Sequence, residues 1–348
     1  TFLCAVIKGV DEYADLLRIS AASAANDHRL GANEAPPAII SIFMGEELQG
    51  VLDALVSGDT YTSQSMTFKI GVDALPDFPK DSTDRNRTSP FAFTGNRFEF
   101  RMVGSSENIA CPNHMLNTIV ASELSDIADK MEKVPADKFK DELKKLLAEI
   151  VKEHKRVIFN GDGYSDAWVE EAAKRGLPNY KTTADCVPHY VDEKNVKLFE
   201  KFGIFSKAEI EARVEILLES YSKTINIEAL TMIDMAKKKY IPACLAYSKE
   251  LADAIAVKKS IDVCTCVEKD LVKKITDETE KAYDAVQKLE EVTAVAAAKT
   301  CMQEMANAYR DTVLPVMDEL RKAVDALEVL MPSTMWPVPA YSEMIFNV

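Results

Sequence analysis

The spacing of apolar and polar positions divides this chain into a mixed first third and a long helical remainder. Leu3, Val6, Ile7, Val10, Leu16 and Leu17 recur at helical spacing and predict one opening helix over about residues 1–24. A polar loop follows, and Pro36-Pro37 leads into an extended segment from Ala38 to Phe43. Residues 45–57 read as a short helix. Residues 58–96 read as loop, broken by Gly58-Asp59, Pro76, Pro79 and Pro90. Arg97-Phe98-Glu99-Phe100-Arg101 then alternates polar and aromatic residues, the period of a strand. It puts Arg97, Glu99 and Arg101 on one face and both Phe on the other.

Beyond Pro112 the period becomes helical. Residues 113–155 are mostly helix, Val157 to Phe159 is extended, and Asn160-Gly161-Asp162-Gly163 is a tight turn. A helix runs from Asp166 to Arg175 and is ended by Gly176 and Pro178. Ser206-Lys207-Ala208-Glu209 is a capping box. From there to Leu330 glycine is rare and one interruption falls near Pro242, which predicts two to four long helices in an antiparallel bundle. Met331 to Pro339 reads as an ordered tail. The fold class is α+β, with few antiparallel strands. The first helix has no entry sequence before it, so the chain reads as the latter part of a longer protein.

Composition narrows the partners. The 348 residues allow one large domain or two ordinary ones, and at 47% hydrophobic they bury a sizeable core. A net charge of -14 argues against nucleic acid as the main partner. No signal peptide or membrane-crossing run is visible, and a cytoplasmic protein is expected. The 7 cysteines are odd in number in a long chain, so a disulfide framework is not expected. Cys264 and Cys266 read as free thiols, being too close for a usual zinc knuckle and without a nearby His.

Against this acidic background, two stretches concentrate arginine with carboxylate: His28-Arg29-Leu30-Gly31-Ala32-Asn33-Glu34-Ala35-Pro36, and the run from Asp84 to Arg101. Arginine offers a rigid fork for carboxylate or phosphate, and glutamate a hard oxygen ligand for Mg²⁺ or Mn²⁺. Arg87, Arg97 and Arg101 with a metal on Glu99 have the composition that phosphoryl transfer needs, positive charge and positioning. The bland alternative is an amphipathic strand with surface ion pairs, each contributing under ~1 kcal/mol. Likewise Arg29 and Glu34 are either site residues on a loop or an exposed pair. Asn160-Gly-Asp-Gly is not a calcium loop. Setting Asn160 and Asp162 at the third and fifth positions puts Ile158 at the first and Val169 at the twelfth. His28 reads as a polar loop residue, and His114, His154 and His189 show no partner signal.

HRLGANEAP, DRNRTSP, NRFEFRMVGSSENIACPN, NGDGYSDAWVEEAAKRGLPN and the terminal WPVPAYSEMIFNV together resemble the glutamine synthetase family, and its type III branch in particular. The resemblance implies the C-terminal half of that catalytic domain over residues 1–135 and a mostly helical, branch-specific domain over 136–348. It implies ATP-dependent ligation of ammonia to glutamate through γ-glutamyl phosphate, with divalent metal, in ring-shaped homo-oligomers such as a dodecamer. Arg29 and Arg101 would hold glutamate. Glu34 would ride on a closing flap and take a proton from ammonium. Arg87 and Arg97 would meet the ATP phosphates, and Glu99 would bind metal. Where the better-known branch has a further phosphate-binding arginine this chain has Ala92, and Arg85 is the candidate substitute. The other metal-binding residues of the family lie upstream of this sequence, so it carries about half of a site and would be inactive alone. Two rivals stand beside this reading: a ligase of the same fold acting on another amine, and a non-catalytic helical scaffold.

Overall fold

The computed structural model describes residues 1–32, 35–62, 67–68, 78–79 and 88–346. They form two compact units, 1–217 and 218–348.

The first unit opens with α1 (Phe2–Glu12), α2 (Ala14–Ile19) and α3 (Ala24–Arg29). The single predicted helix is therefore broken. Tyr13 leaves helical geometry at φ -119, ψ 31, and the chain turns so that α2 buries all its residues and α1 most of its own. A period of 3.6 records which residues are buried but not a change of axis between two helices. His28 and Arg29 end α3 rather than lying in the following loop, and Ser23 caps that helix by accepting from the Asn26 N–H.

Then come β1 (Ile42–Phe43), α4 (Glu46–Ser57), the short pair β2 (Thr67–Phe68) and β3 (Phe78–Pro79), β4 (Phe91–Phe93) and β5 (Phe98–Phe100). The main sheet has the order β1-β4-β5. It is mixed rather than antiparallel, because β1 and β4 run parallel while β4 and β5 are antiparallel. Ile158 extends the sheet with a parallel bridge to Ile42. Across β4 and β5 the register pairs Phe91 with Phe100, Ala92 with Glu99 and Phe93 with Phe98. Four Phe thus share one face, with the Phe91 and Phe98 rings stacked at 5.1 Å, and Glu99 and Ala92 share the other.

α5 (Ala110–Met131) and α6 (Phe139–His154) pack on α1. α7 (Asp166–Lys174), α8 (Thr183–Cys186) and α9 (Glu193–Lys201) complete the unit. α10 (Lys207–Met235) begins with the expected capping box, Ser206 and Glu209 bonding each other's backbone N–H.

The second unit contains α11 (Ile241–Ser260), α12 (Cys266–Ala297), α13 (Met302–Ala308), α14 (Leu314–Leu330) and α15 (Tyr341–Phe346). Seven of its eight buried positions on α12, Ile275, Thr279, Ala282, Val286, Leu289, Thr293 and Ala296, alternate steps of four and three, with Ala285 beside Val286 as the eighth. That is a coiled-coil seam. On α14, Val316, Leu320, Ala323 and Leu327 continue the same rhythm. Lys258 pairs with Glu268 beside the α11–α12 turn and Lys237 with Glu290 far from it, so the two helices run antiparallel. Two π-helical turns, Ala236–Tyr240 and Tyr309–Val313, directly precede the helices that carry Pro242 and Pro315 at their second residues. A proline ring clashes with the carbonyl four residues back, and a wider turn relieves that clash without ending the helix. The expected interruption near Pro242 is this turn. Among the described residues no helix is long and apolar enough to cross a membrane.

Candidate functional site

The face of the β4–β5 ribbon opposite the four Phe carries the candidate chemistry. Glu99 sits on β5 with both carboxylate oxygens occupied. Oε1 accepts from Arg97 Nε at 3.2 Å and Nη2 at 3.0 Å, and Oε2 accepts from Arg101 Nε at 3.1 Å and Nη2 at 3.0 Å. The Arg101 hydrogen bond is the main reason the Glu99 carboxyl is held below its ordinary value. Burial opposes it as the next largest effect, and Arg97 adds to the lowering. The two arginines differ in freedom. Arg97 is 73% exposed and Arg101 14%. Arg101 is thus a preset cation, while Arg97 can swing to meet an anion. Alternation along the strand is enough to bring these three together, as the sequence pattern implies.

Arg29 joins them through tertiary structure. From the end of α3 its Nη2 donates to the Met102 carbonyl at 2.7 Å and its Nε to Asn26 Oδ1 at 2.9 Å. Asn26 is buried, and its Nδ2 donates to the carbonyls of Ala21 and Met102. Ser23 bonds Glu107 nearby. These contacts fasten α3 to the chain leaving β5. Asn26 carried no motif signal. It is a positioning residue that ties Ala21 and Arg29, close by in sequence, to Met102, 76 residues away.

A second fastening lies behind α3. Arg18 is fully buried and donates to Asp27 Oδ1 at 2.7 Å and to the carbonyls of Tyr180 and Lys181. Asp27 also accepts from the Thr183 N–H at 2.6 Å. Burial raises the Asp27 carboxyl above its ordinary value, with Arg18 and Thr183 opposing it. No helical period distinguishes such a buried ion pair from a surface one.

The two candidate loops are braced by the Asn160–Gly163 turn. Asn160 Oδ1 accepts from the N–H of Met44 at 2.9 Å and of Gly45 at 3.0 Å. Gly163 lies so close to Thr88 that a Cβ there would run into the Thr88 carbonyl oxygen, with Pro37 Cδ 3.5 Å away on another side. Thr88 follows Arg87, and Pro37 follows the HRLGANEAP motif. That motif closes on itself: Gly31, at φ +76, donates from its N–H to the Pro36 carbonyl at 2.9 Å. Glu34, Arg85 and Arg87 lie outside the described residues. Ala92 lies directly across the ribbon from Glu99, so an arginine there would have stood beside the carboxylate.

Three of the four histidines have partners in the fold. His154 Nδ1 lies 2.9 Å from an oxygen of Asp11, which also accepts from Arg156. His189 pairs with Asp192 and packs on Tyr180. His114 packs edge-on against Phe205, and burial lowers its proton affinity. His28 is exposed at the end of α3. Cys264 and Cys266 are joined as a disulfide rather than free, because the turn between α11 and α12 brings their Cα atoms to 5.9 Å.

As a metal site the described residues offer one carboxylate, Glu99, and no cluster of three or more metal-ligating side chains. Mg²⁺ commonly takes one or two carboxylates and completes its shell with water and substrate phosphates, so Glu99 fits as one ligand of several.

Comparison with known proteins points to the same family as the sequence resemblance. The family model described as "Glutamine synthetase C-terminal domain" matches residues 142–259. A glutamine synthetase from Butyrivibrio fibrisolvens is 46% identical over 353 residues, covering 100% of this chain and 50% of that protein. A type-3 glutamine synthetase from Dictyostelium discoideum is 41% identical, covering 99% of the chain and 48% of that protein. A glutamine synthetase from Bacteroides fragilis (strain YCH46) is 37% identical, covering 100% and 49%. The chain spans about half the length of these curated relatives and, over that span, belongs to the glutamine synthetase family.

Proposed function

We propose that this chain supplies part of the active site of a glutamate–ammonia ligase, which forms γ-glutamyl phosphate from glutamate and ATP and then replaces the phosphate with ammonia. The observation that carries the reading is Glu99 held between Arg97 and Arg101, with Arg29 fastened to the residue after Arg101. Two guanidiniums on one carboxylate, with the Arg29 guanidinium bonded to the backbone of the next residue after Arg101, leave a local excess of positive charge on a chain of net charge -14. That excess suits an anionic substrate and a transferring phosphoryl group.

In this reading Arg29 and Arg101 hold glutamate carboxylate, and Arg101 also meets charge that develops as the acyl phosphate forms. Arg97, with Arg87 and Arg85, neutralises ATP phosphate oxygens. Glu34 takes the proton that ammonium must lose before its nitrogen attacks. Glu99 would hold Mg²⁺ or Mn²⁺, which when bound supplies charge that draws electron density from the phosphoryl oxygens. Residues 1–135 would belong to the catalytic domain and 136–348 to the branch-specific one. The working form would be a cytoplasmic, ring-based homo-oligomer, a dodecamer, completed by the family's upstream segment.

The test is glutamate- and ammonia-dependent ADP release from the full-length protein, with intact mass recorded on the same sample. Activity with ammonia supports the reading. ADP release with another amine but not ammonia replaces it with the related ligase. No turnover with any amine from a full-length oligomer favours the scaffold.

A further inference from the structure

Cys264 and Cys266 are bridged across a single residue, Thr265, which is buried while both cysteines are exposed. Cys266 is the first residue of α12, a helix of 32 residues whose N-cap makes no side-chain capping bond. N–H groups at a helix start carry partial positive charge and favour a thiolate there; the Glu268 carboxylate, at the third residue of α12, bonds one of them, its own, as well as Lys258. The charged groups nearby are the Lys258–Glu268 ion pair, Lys259 and Asp262. The remaining cysteines have a different character. Cys4, Cys186 and Cys244 are buried, and burial pushes the Cys186 thiol up to about 12. Cys111 is also raised by burial, and Cys301 is exposed but unpaired. A bridge spanning one residue closes almost no chain, so opening it releases little loop entropy and leaves the fold standing.

We propose that Cys264–Cys266 is a thiol–disulfide exchange site that accepts two electrons from a dithiol reductant. A thiolate of the reductant attacks Cys264 Sγ. The Cys264–Cys266 bond breaks, and its electron pair leaves on Cys266 at the helix start. The reductant's second thiolate then attacks its own sulfur in the mixed disulfide and releases Cys264. The reductant ends as a disulfide, and the two protons its thiols lose balance the two taken up by the cysteines.

The test uses full-length native protein equilibrated in mixtures of reduced and oxidised dithiothreitol, then alkylated and digested with trypsin. The peptide Ser260–Lys269 carries both cysteines and no other. The expected result is a population with no label or two labels and few single labels, shifting with the dithiol ratio within minutes while circular dichroism stays native. In a Cys264→Ser variant, Cys266 should alkylate at least about tenfold faster than Cys301 at pH 7. Two labels under fully oxidising conditions would overturn the proposal, as would a bridge that opens only after denaturation or pairing of either cysteine with Cys301. Cys266 reacting no faster than Cys301 would overturn the role given to the helix start.

Discussion

Arg29 donates from Nη2 to the carbonyl of Met102 at 2.7 Å, and Met102 is the residue that follows Arg101. Two arginines more than seventy residues apart in sequence are thereby held on neighbouring stretches of backbone. A guanidinium bonded to a carbonyl keeps its charge and most of its donors, so Arg29 is oriented and still able to bind. Arg29→Lys keeps the charge but loses the fork. The ligase reading expects kcat/KM for glutamate to fall about 100-fold, near 2.7 kcal/mol, with a melting shift of only a few degrees. Steady-state kinetics and thermal melts of one preparation check it, and unchanged kinetics would remove Arg29 from the glutamate site.

Glu99→Gln separates chemistry from folding. The carboxylate is a third exposed and Arg97 mostly exposed, so the ion pairs contribute about 1 kcal/mol or less to stability. Near-complete loss of ligase activity with little loss of stability is expected. The pH dependence follows from the lowered Glu99 value. Its stabilising contribution is present above the ordinary carboxylate range, about 4.3, and is lost as pH falls through the lower folded value. The small stability gap between wild type and Glu99→Gln should therefore close below that range in urea titrations. Retained activity in the mutant would remove the metal-ligand role.

Gly163→Ala places a methyl group against the Thr88 carbonyl. Backbone must shift to admit it, at a cost of about 1–3 kcal/mol. Because Gly163 touches the end of one candidate loop and Pro37 after the other, turnover should fall by more than the stability loss explains. Activity measured well below the melting temperature, where the protein remains folded, tests this. Full turnover there would make the Asn160–Gly163 turn a structural brace alone.

Arg18→Met leaves Asp27 buried with the Thr183 N–H and without its cation. Loss of one partner of a buried pair costs about 3–5 kcal/mol. The cost should vary with pH in a defined direction. Burial already raises Asp27, and without Arg18 the value rises further. A raised carboxyl stabilises the fold below its unfolded value and loses that contribution as pH rises through the folded value. The mutant should therefore lose most stability, relative to wild type, above that folded value. Denaturant midpoints at pH 5 and pH 8 check the sign.

Much of this protein was legible from side-chain order alone. Alternation in Arg97 to Arg101 specifies a strand with its charges on one face, because the pleat sends successive side chains to opposite sides. The motifs around Arg29 and Glu99 carried the family resemblance, and Ser206 with Glu209 marked the start of α10. Those are local facts, set by neighbours within a few residues. The mixed sheet, the break at Tyr13, the Arg18–Asp27 pair, Asp11 with His154, and the Cys264–Cys266 bridge came only with the fold. Each depends on where the backbone turns, or on which distant group meets a buried polar atom. Burial makes partners obligatory, but it does not say from which part of the chain they come. The sequence by itself therefore determined which residues could do chemistry. Only tertiary structure decided that Asn26 and Met102 would hold Arg29 beside Arg101, because a buried hydrogen bond is chosen by proximity in space, not along the chain.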